Sequence, residues 1–246
     1  MSELKRNFDE ECKNRINKYN YYFDDVMKCK IMQNIEELID ISSISNVLEV
    51  GCFEGSMTKL LNNKFKSLDV VEPSIECINK INKQFDNVTF INTILQEYTT
   101  DKKYDLIIIS HTLEHIENQI EALKKAKSLL SDNGYLYVIV PNGTSISRLI
   151  ACKLNIVDYP CCVTRGEKEH GHYITYDLYT LERHFREANI HNIKLGGIVF
   201  KIFGNNQYDN AFKYNIIDNN FIDACYALGK ERPMDCASIY CLAKNN

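Results

Sequence analysis

The sequence predicts an α/β fold, in which a mostly parallel sheet carries helices on both faces. Short apolar runs alternate with helical stretches from residue 46 onwards. The run at 104–109 is almost wholly apolar, as expected of a strand that is covered on both sides. This alternation requires crossover connections between parallel strands. Ligands of such sheets bind beyond the carboxyl ends of the strands, so we expect the functional site there.

The elements follow one another in a regular order. Residues 1–45 are predicted to be helical, because Met32, Ile35 and Leu38 recur near helical spacing. Strands are predicted at 47–50, 68–71, 88–91, 104–109, 135–140, 193–203 and 237–243. Helices are predicted at 56–61, 74–85, 119–130 and 179–189, with a turn at 131–134.

Residues 143–176 interrupt this order with Pro160, the pair Cys161-Cys162 and a polar run. Long irregular segments inside a domain tend to be lids or binding loops. We therefore expect one domain over 1–246. It would consist of a helical cap (1–45), a core (46–142), a lid or substrate loop (143–176) and the last part of the sheet (177–246).

The bulk composition limits the function. A net charge of −4 disfavours nucleic acid and anionic membranes as main partners. The polar amino-terminal segment and the absence of a long apolar run favour a soluble, cytoplasmic protein. The ten cysteines include no C-x-x-C pair, and Cys52, Cys77 and Cys241 lie in apolar runs. Reduced, core-packing cysteines are therefore expected rather than a disulfide framework.

A glycine turn, Glu49–Gly55, joins the first predicted strand to a helix. Glycines at 51 and 55 permit close approach of a ligand to the backbone, although a tight connection without ligand is the alternative. Glu72 ends the second strand, where an acid can accept hydrogen bonds from ribose hydroxyls or instead cap the next helix. The glycine spacing differs from the G-x-G-x-x-G that nicotinamide-dinucleotide enzymes usually keep.

Together these motifs resemble the class I S-adenosylmethionine (SAM)-dependent methyltransferases of the small-molecule branch. The resemblance covers about residues 45–190. It rests on Glu49–Gly55, Val71–Ser74, Leu113–His115, the stretch 134–142 and the stretch 171–181. It implies a Rossmann-like, seven-stranded sheet, SAM as cofactor and S-adenosylhomocysteine (SAH) as product.

The resemblance also implies cofactor contacts. Glu49 would lie near the SAM amino group, Gly51 against the methionine moiety and Glu72 at the ribose. Two departures stand out, because Phe53 replaces a glycine and no acid follows the third strand. The expected cofactor-binding residues are Glu49, Gly51, Cys52, Phe53, Gly55, Glu72, Pro73, Ile94, Leu95, Gln96, Ser110, His111 and Tyr22. The aromatic cluster Tyr19, Tyr21, Tyr22 and Phe23 would close over SAM or else staple the core.

Histidines are the candidates for proton removal during methyl transfer. His172 and His111 are the predicted catalytic bases, whereas His115 is expected to be a structural hydrogen bonder. A metal site is not the preferred interpretation. The alternatives for metal binding are His111 with His115 at i, i+4, or Glu169, His170 and His172. His184 and His191 are expected to be solvated.

The acceptor is expected to be a small, anionic molecule that is methylated on a hydroxyl group. Arginines in the loop suit phosphate or carboxylate recognition. A nucleotide-linked or phosphorylated sugar, a capsule building block or a secondary metabolite fits best. Alternatives are N- or C-methylation, including that of a quinone, and a non-catalytic SAM-binding module. The predicted substrate-binding residues are Asn142, Arg148, Arg165, His170 and Tyr173. A monomer or a homodimer is expected.

Overall fold

A seven-stranded sheet organises the part of the chain that the structure, a computed structural model, describes: residues 6–15 and 21–245. The strands are β1 (Asn46–Val50), β2 (Ser67–Val71), β3 (Val88–Ile91), β4 (Tyr104–Ser110), β5 (Leu130–Pro141), β6 (Ile193–Phe200) and β7 (Cys236–Lys244). Their order is β3-β2-β1-β4-β5-β7-β6. Strands β1 to β5 are parallel, and β7 runs antiparallel between β5 and β6. The predicted Rossmann-like methyltransferase fold is thus confirmed.

The strand register sets the position of the site. Val50 of β1 lies opposite Val71 of β2 and Ile109 of β4, so these three strands end at the same level. Because β6 also runs antiparallel to β7, its carboxyl end lies at the same edge of the sheet. Side chains that directly follow β1, β2, β4, β5 and β6 therefore meet along one edge.

Helices cover both faces of the sheet. They are α1 (Phe8–Arg15), α2 (Tyr22–Leu38), α3 (Ser56–Lys64), α4 (Ile75–Ile81), α5 (Gln119–Leu129), α6 (Ile146–Lys153), α7 (Arg165–Glu169), α8 (Leu178–Glu187), α9 (Asn205–Lys213) and α10 (Asn219–Glu231). One apolar core lies between the sheet and α2, α3 and α10, and the other lies against α5 and α8. Successive strand residues enter opposite cores, as Val47 and Leu48 do, which explains the continuous apolar runs.

Three segments differ from the sequence prediction. Strand β5 begins at Leu130, the last residue of the predicted helix, and it includes residues 131–134, where a turn had been expected. Leu130 pairs with Tyr104, and the irregularity is absorbed between Tyr104 and Leu106. The insertion at 143–176 contains α6 and α7 rather than only irregular chain. Helices α9 and α10 lie between β6 and β7, where no element had been predicted.

The amino-terminal segment is attached to the sheet-flanking helices. Asp9 accepts hydrogen bonds from the Ser74 hydroxyl (2.8 Å) and the Glu76 amide (3.2 Å) at the start of α4. Cys12 of α1 and Cys77 of α4 form a disulfide. The expectation of a reduced, core-packing Cys77 is therefore wrong, because the fold brings these two side chains together from positions 65 residues apart.

Within the described ranges, no helix combines the length and the apolar composition that crossing a membrane requires.

Candidate functional site

A cavity of about 780 Å³ lies along the edge where the parallel strands end. Its volume lies in the upper part of the roughly 300–1,000 Å³ range that is usual for ligand pockets. We call the part lined by Glu49–Phe53, Glu72–Pro73 and Ile94–Gln96 the β1/β2 half. The β4/β6 half is lined by Ser110–Thr112, Glu114–His115, His170, His172–Tyr173, Lys201 and Ser238. Residues of α1 and of the start of α2 also line the cavity.

The glycine turn forms the floor of the β1/β2 half. Gly51 has φ +78°, and a Cβ atom there would lie 2.5 Å from the Thr112 hydroxyl oxygen. Its amide donates to the Val71 carbonyl (2.8 Å), which ties β1 to β2 at the turn. Gly55 has φ +80° and precedes α3 directly, but it does not line the cavity. The turn thus needs glycine at both positions, for close approach at Gly51 and for backbone conformation at Gly55.

Glu72 braces this turn from the end of β2. One carboxylate oxygen accepts from the amides of Cys52 (3.0 Å) and Phe53 (3.4 Å), and the other accepts from the Ser74 amide (2.9 Å). The side chain is buried and lines the cavity. A carboxylate offers about four acceptor sites, so hydroxyl groups of a ligand can still donate to it. The role of Glu72 at the ribose stays a prediction.

Glu49 is the feature that best tests the fit of SAM. It is only 1% exposed, and neither carboxylate oxygen has a hydrogen-bond partner among the described residues. Burial raises the pKa of this carboxyl to about 8. A buried, unpartnered acid at a cavity wall favours a ligand that carries a positive charge. The ammonium group of SAM supplies such a charge, so the residues present fit this cofactor.

The segment after β3 completes the β1/β2 half. Ile94, Leu95 and Gln96 line the cavity, as expected for an adenine-contacting stretch that lacks an acid. The nearby Asn92 has a structural role, because its side-chain amide donates to the carbonyls of Glu72 (3.1 Å) and Pro73 (2.9 Å). Asn92 therefore holds the end of β2 in place.

His111 stands at the centre of the β4/β6 half. It has a left-handed backbone conformation (φ +50°), which is rare for a residue with a side chain. Its Nε2 lies 2.9 Å from the Ser238 hydroxyl, and its amide donates to the Ile139 carbonyl (2.8 Å). Burial, together with the nearby charges of Lys28, His172 and Lys201, lowers its pKa to about 4. The imidazole is therefore neutral at neutral pH.

A second group of histidines comes from the turn after β4 and from the insertion. The rings of His115 and His172 meet edge to face with centroids 4.4 Å apart. Arg6 donates to the His115 carbonyl and lies over the Tyr173 ring, 5.3 Å from its centroid. His170, His172 and Tyr173 line the cavity, as predicted for catalytic or acceptor-binding residues, although their roles stay predictions.

Lys201 is a lining residue that the sequence analysis missed. It follows β6 directly and lines the cavity, where burial lowers its pKa to about 8. Its ammonium donates to the Asn205 side chain and lies 5.2 Å from the centre of the Phe23 ring. Asn205 in turn donates to the Asp24 carboxylate (2.6 Å). The sequence does contain a signal for it, because a lysine at the end of an apolar strand is expected to face the ligand site. The same reasoning about strand ends predicted Ser110 and His111 as cavity residues.

The aromatic cluster before α2 is only partly at the cavity. Tyr22 is 53% exposed and packs edge to face on Phe212, so it does not belong to the lining as had been expected. Its neighbour Tyr21 lines the cavity instead. Phe23 is fully buried in the core, and Tyr19 lies outside the described residues.

Three predicted acceptor-binding residues do not reach the cavity lining. The side-chain amide of Asn142 donates to the carbonyls of Met234 (2.7 Å) and Cys236 (2.9 Å), which joins the end of β5 to the start of β7. Arg165 projects into solvent with a 94% exposed side chain, beside Glu169.

Arg148 is committed to the insertion itself. It donates to Glu167 (2.6 Å) and to the carbonyls of Pro160 (2.6 Å) and Cys162. The acceptor role predicted for it is therefore replaced by a structural one. His184, expected at the surface, is buried at 3.1 Å from the Tyr176 hydroxyl.

Acidic groups predominate around the cavity. The described lining residues with carboxylates are Glu11, Asp24, Asp25, Glu49, Glu54, Glu72, Glu114 and Glu117, whereas the lining lysines and arginines are Arg6, Lys28 and Lys201. This balance suits a cationic cofactor. It also restricts the recognition of an anionic acceptor to a few cations, because the loop arginines are engaged elsewhere.

Comparison with known proteins agrees with this geometry. A family model described as a methyltransferase domain (Methyltransf_23) matches residues 23–195. The chain is 29% identical over 109 residues to a probable (S)-tetrahydroprotoberberine N-methyltransferase of Papaver bracteatum, covering 42% of the chain and 30% of the relative. It is 28% identical over 102 residues to a malonyl-[acyl-carrier protein] O-methyltransferase of Ilyobacter polytropus, covering 39% of each. The chain thus spans well under half the length of these two relatives.

Solved structures share the fold at low sequence identity. A SAM-dependent methyltransferase of Thermotoga maritima, described as a possible histamine N-methyltransferase, has a TM-score of 0.65 at 16% identity, covering 98% of this chain and 100% of that one. The N-methyltransferase NodS of Bradyrhizobium japonicum, in complex with SAH, has a TM-score of 0.57 at 14% identity, covering 98% and 99%. The family match, the fold and the fit of the cavity agree, and this chain belongs to the class I SAM-dependent methyltransferases of the methyltransferase-domain family.

Proposed function

We propose that the chain methylates a hydroxyl group of a small acceptor that also carries an anionic group. The observation that carries this proposal is Lys201, a recessed cation in the β4/β6 half whose pKa burial lowers to about 8. A desolvated ammonium gains more from an anionic partner than an exposed one does. Lys28 lines the same cavity and offers a second cation. A nucleotide-linked or phosphorylated sugar is an acceptor of this chemistry.

The β1/β2 half would hold the cofactor. SAM supplies an electrophilic methyl group on a sulfonium. The Glu49 carboxylate would pair with its ammonium group, Gly51 would admit close approach of the methionyl portion, and Glu72 would accept from the ribose hydroxyls. Held by these three residues, the cofactor would supply its methyl group for an in-line displacement, which requires alignment of the acceptor oxygen, the methyl carbon and the sulfur.

The acceptor proton would go to an imidazole of the β4/β6 half. His111 and His172 both line the cavity, and either can act as the general base. His111 is held by the Ser238 hydroxyl at 2.9 Å. His172 is held through its amide, which donates to the Glu167 carbonyl (2.9 Å).

N-methylation is the second candidate function. Asp24 and Asp25 line the cavity near Lys201 and Lys28, and carboxylates there would attract an amine acceptor. The relative from Papaver bracteatum is named an N-methyltransferase. If the acceptor were an amine, Lys201 would have no anionic group of the acceptor to bind, and its role would be limited to packing and to its hydrogen bond with Asn205.

A matched acceptor panel separates these candidates. We would measure SAH release and product mass with a phosphorylated sugar, the same sugar without phosphate, and a primary amine. Methylation of the phosphorylated sugar is expected, with the KM for this acceptor raised about 10–100-fold in Lys201→Met, the loss of one charged hydrogen bond. SAH affinity should stay unchanged. Lys168→Met, at an exposed position of α7, is the matched control.

Two results would overturn the proposal. One is methylation of the amine alone. The other is an unchanged acceptor KM in Lys201→Met. Binding of SAH without turnover of any acceptor would favour a non-catalytic SAM-binding module instead.

A further inference from the structure

Three side chains that can ligate a metal converge at the β4/β6 half. Glu114 and His115 lie on the turn after β4, and His172 lies where the insertion returns to the sheet. One potential ligand atom from each lies within 4.8 Å of the others. Among the described residues, this is the one cluster of at least three histidine, cysteine, aspartate or glutamate side chains close enough to share a metal ion. All three line the cavity, and Glu114 is only 2% exposed.

Backbone hydrogen bonds hold the two contributing segments together. The Tyr173 amide donates to the Glu114 carbonyl (2.9 Å), directly beside His172. The His115 amide donates to the Thr112 carbonyl (2.9 Å), and Arg6 donates to the His115 carbonyl. The fold thus joins a turn and an insertion that are far apart in sequence at the position of the ligand atoms.

The insertion side is equally constrained. The His172 amide donates to the Glu167 carbonyl (2.9 Å), while the Glu167 carboxylate is held by Arg148 (2.6 Å) and by the Thr164 amide (2.8 Å). The half-buried ion pair between Arg148 and Glu167 therefore fixes the backbone that presents His172. This explains why Arg148 is turned away from the cavity.

The donor set has a recognisable preference. Two imidazole nitrogens and one carboxylate oxygen form the ligand set of catalytic zinc sites and of mononuclear iron(II) sites. Metal–ligand distances of about 2.0–2.2 Å place tetrahedral ligand atoms roughly 3.4 Å apart. The three ligand atoms lie within 4.8 Å of one another, so a bound ion would have to draw them closer by at most about 1.4 Å. The Arg6 charge nearby is offset by its ion pair with Glu11 at 2.6 Å.

We propose that Glu114, His115 and His172 form a binding site for a divalent transition-metal ion of the zinc or manganese class. Three protein ligands leave coordination positions open to the cavity, where a hydroxyl oxygen of the acceptor can bind. This catalytic consequence rests on the proposed function, whereas occupation of the site by an ion does not. With the ion bound, His172 is a ligand, and His111 is the remaining imidazole of the proposed pair of bases.

This site differs from both metal-binding alternatives that the sequence offered. His111 is bonded to Ser238 rather than facing a shared ion with His115. Glu169 is exposed and paired with Arg165 at 2.9 Å, so it does not join His172. His170 lines the cavity two positions from His172 and serves as a matched control.

Metal titration of the chelator-treated protein tests the site without any acceptor. Zinc binding by calorimetry and cobalt binding by absorption should show one ion per chain. Glu114→Gln and His172→Asn should each weaken binding at least about 10-fold, since even groups that only support ligands have effects of this size. His170→Asn should leave the affinity unchanged. SAH affinity and thermal unfolding of each variant identify any that fail to fold.

Absence of stoichiometric binding to the folded wild-type protein would overturn the proposed site. Binding that survives both Glu114→Gln and His172→Asn would overturn it as well. Stoichiometric metal binding with no methylation of anionic hydroxyl acceptors would instead refute the proposed function and leave the metal site standing.

Discussion

The two halves of the cavity are built in different ways. The β1/β2 half comes from three short segments at or just after the ends of β1, β2 and β3, so its geometry is set by local backbone features such as φ +78° at Gly51. The β4/β6 half draws on the end of β4 and the turn after it, the insertion, the residue after β6 and the start of β7. A single backbone change should therefore be enough to abolish cofactor binding by the β1/β2 half. Acceptor binding by the β4/β6 half should instead depend on how segments that are distant in sequence pack together.

The largest effect that this comparison predicts is that of Gly51→Ala. The added Cβ would lie 2.5 Å from the Thr112 hydroxyl at a left-handed backbone position. Overpacking and the backbone penalty together predict a loss of about 2–4 kcal/mol in the free energy of unfolding, with SAH binding abolished. Urea unfolding and calorimetry measure the two effects.

Gly166→Ala is the matched control, because a Cβ at Gly166 meets nothing within 4 Å. Its unfolding free energy and SAH affinity should match those of the wild type. Equal effects of the two substitutions would show that the glycine turn has no special role.

Glu49→Gln should have the next largest effect, through charge. The missing carboxylate would weaken SAM about 10–100-fold, as expected when a hydrogen bond to a charged group is lost. Because burial raises the pKa of Glu49 from 4.5 to about 8, wild-type binding near pH 7 should release a proton. Calorimetry in buffers of different ionisation enthalpy measures that release, which Glu49→Gln should abolish.

The same pKa has a consequence for stability without ligand. A carboxyl whose pKa is higher in the folded state stabilises the fold below about pH 4.5, and this contribution is lost as the pH rises towards 8. The free energy of unfolding should therefore decrease over this range more steeply in the wild type than in Glu49→Gln. Lys28 and Glu72 are the charged neighbours that modify this slope. Identical slopes in the two proteins would argue against a buried, neutral acid.

Arg148→Met tests the packing of the β4/β6 half. It removes a half-buried ion pair with Glu167 and two bonds to carbonyls, so a loss of about 1–2 kcal/mol in stability is expected, together with a raised acceptor KM. SAH affinity should remain that of the wild type, since Arg148 supports only the insertion.

The smallest effect is predicted for Arg165→Met, an exposed position of the same insertion. Unfolding and kinetics should agree with the wild type within about 0.5 kcal/mol. If Arg165→Met raised the acceptor KM as much as Arg148→Met, a direct role of both arginines at the acceptor would be indicated.

Prediction from sequence succeeded where the structure is local. The alternation of apolar runs predicted the sheet, and Gly51, Glu72 and the stretch 94–96 line the cavity, while their contacts with the cofactor stay predictions. Strand ends in a parallel sheet converge whatever the loops do, which is why short motifs there are informative.

The remaining features depend on contacts that no local pattern encodes. Arg148 and Arg165 both lie in the insertion, yet Arg148 is half-buried in an ion pair with Glu167 and Arg165 is exposed. Lys201 lies inside the predicted strand 193–203, so the sequence prediction treated it as a strand residue and not as a cavity residue. The Cys12–Cys77 disulfide requires α1 to dock on α4, which the spacing of cysteines cannot reveal. Helices α9 and α10 were also missed, although α10 buries Ile222, Cys225 and Tyr226 at helical spacing.

Glu72, which braces the glycine turn, is proposed to accept hydrogen bonds from the ribose hydroxyls in the β1/β2 half. The most direct test compares the affinities of SAH and of its 2′,3′-dideoxy analogue in the wild type and in Glu72→Gln. The wild type should prefer SAH by about 10-fold or more, since two hydrogen bonds to a charged acceptor are lost with the hydroxyls. Glu72→Gln should lose most of that preference. An equal preference in both proteins would contradict the assignment.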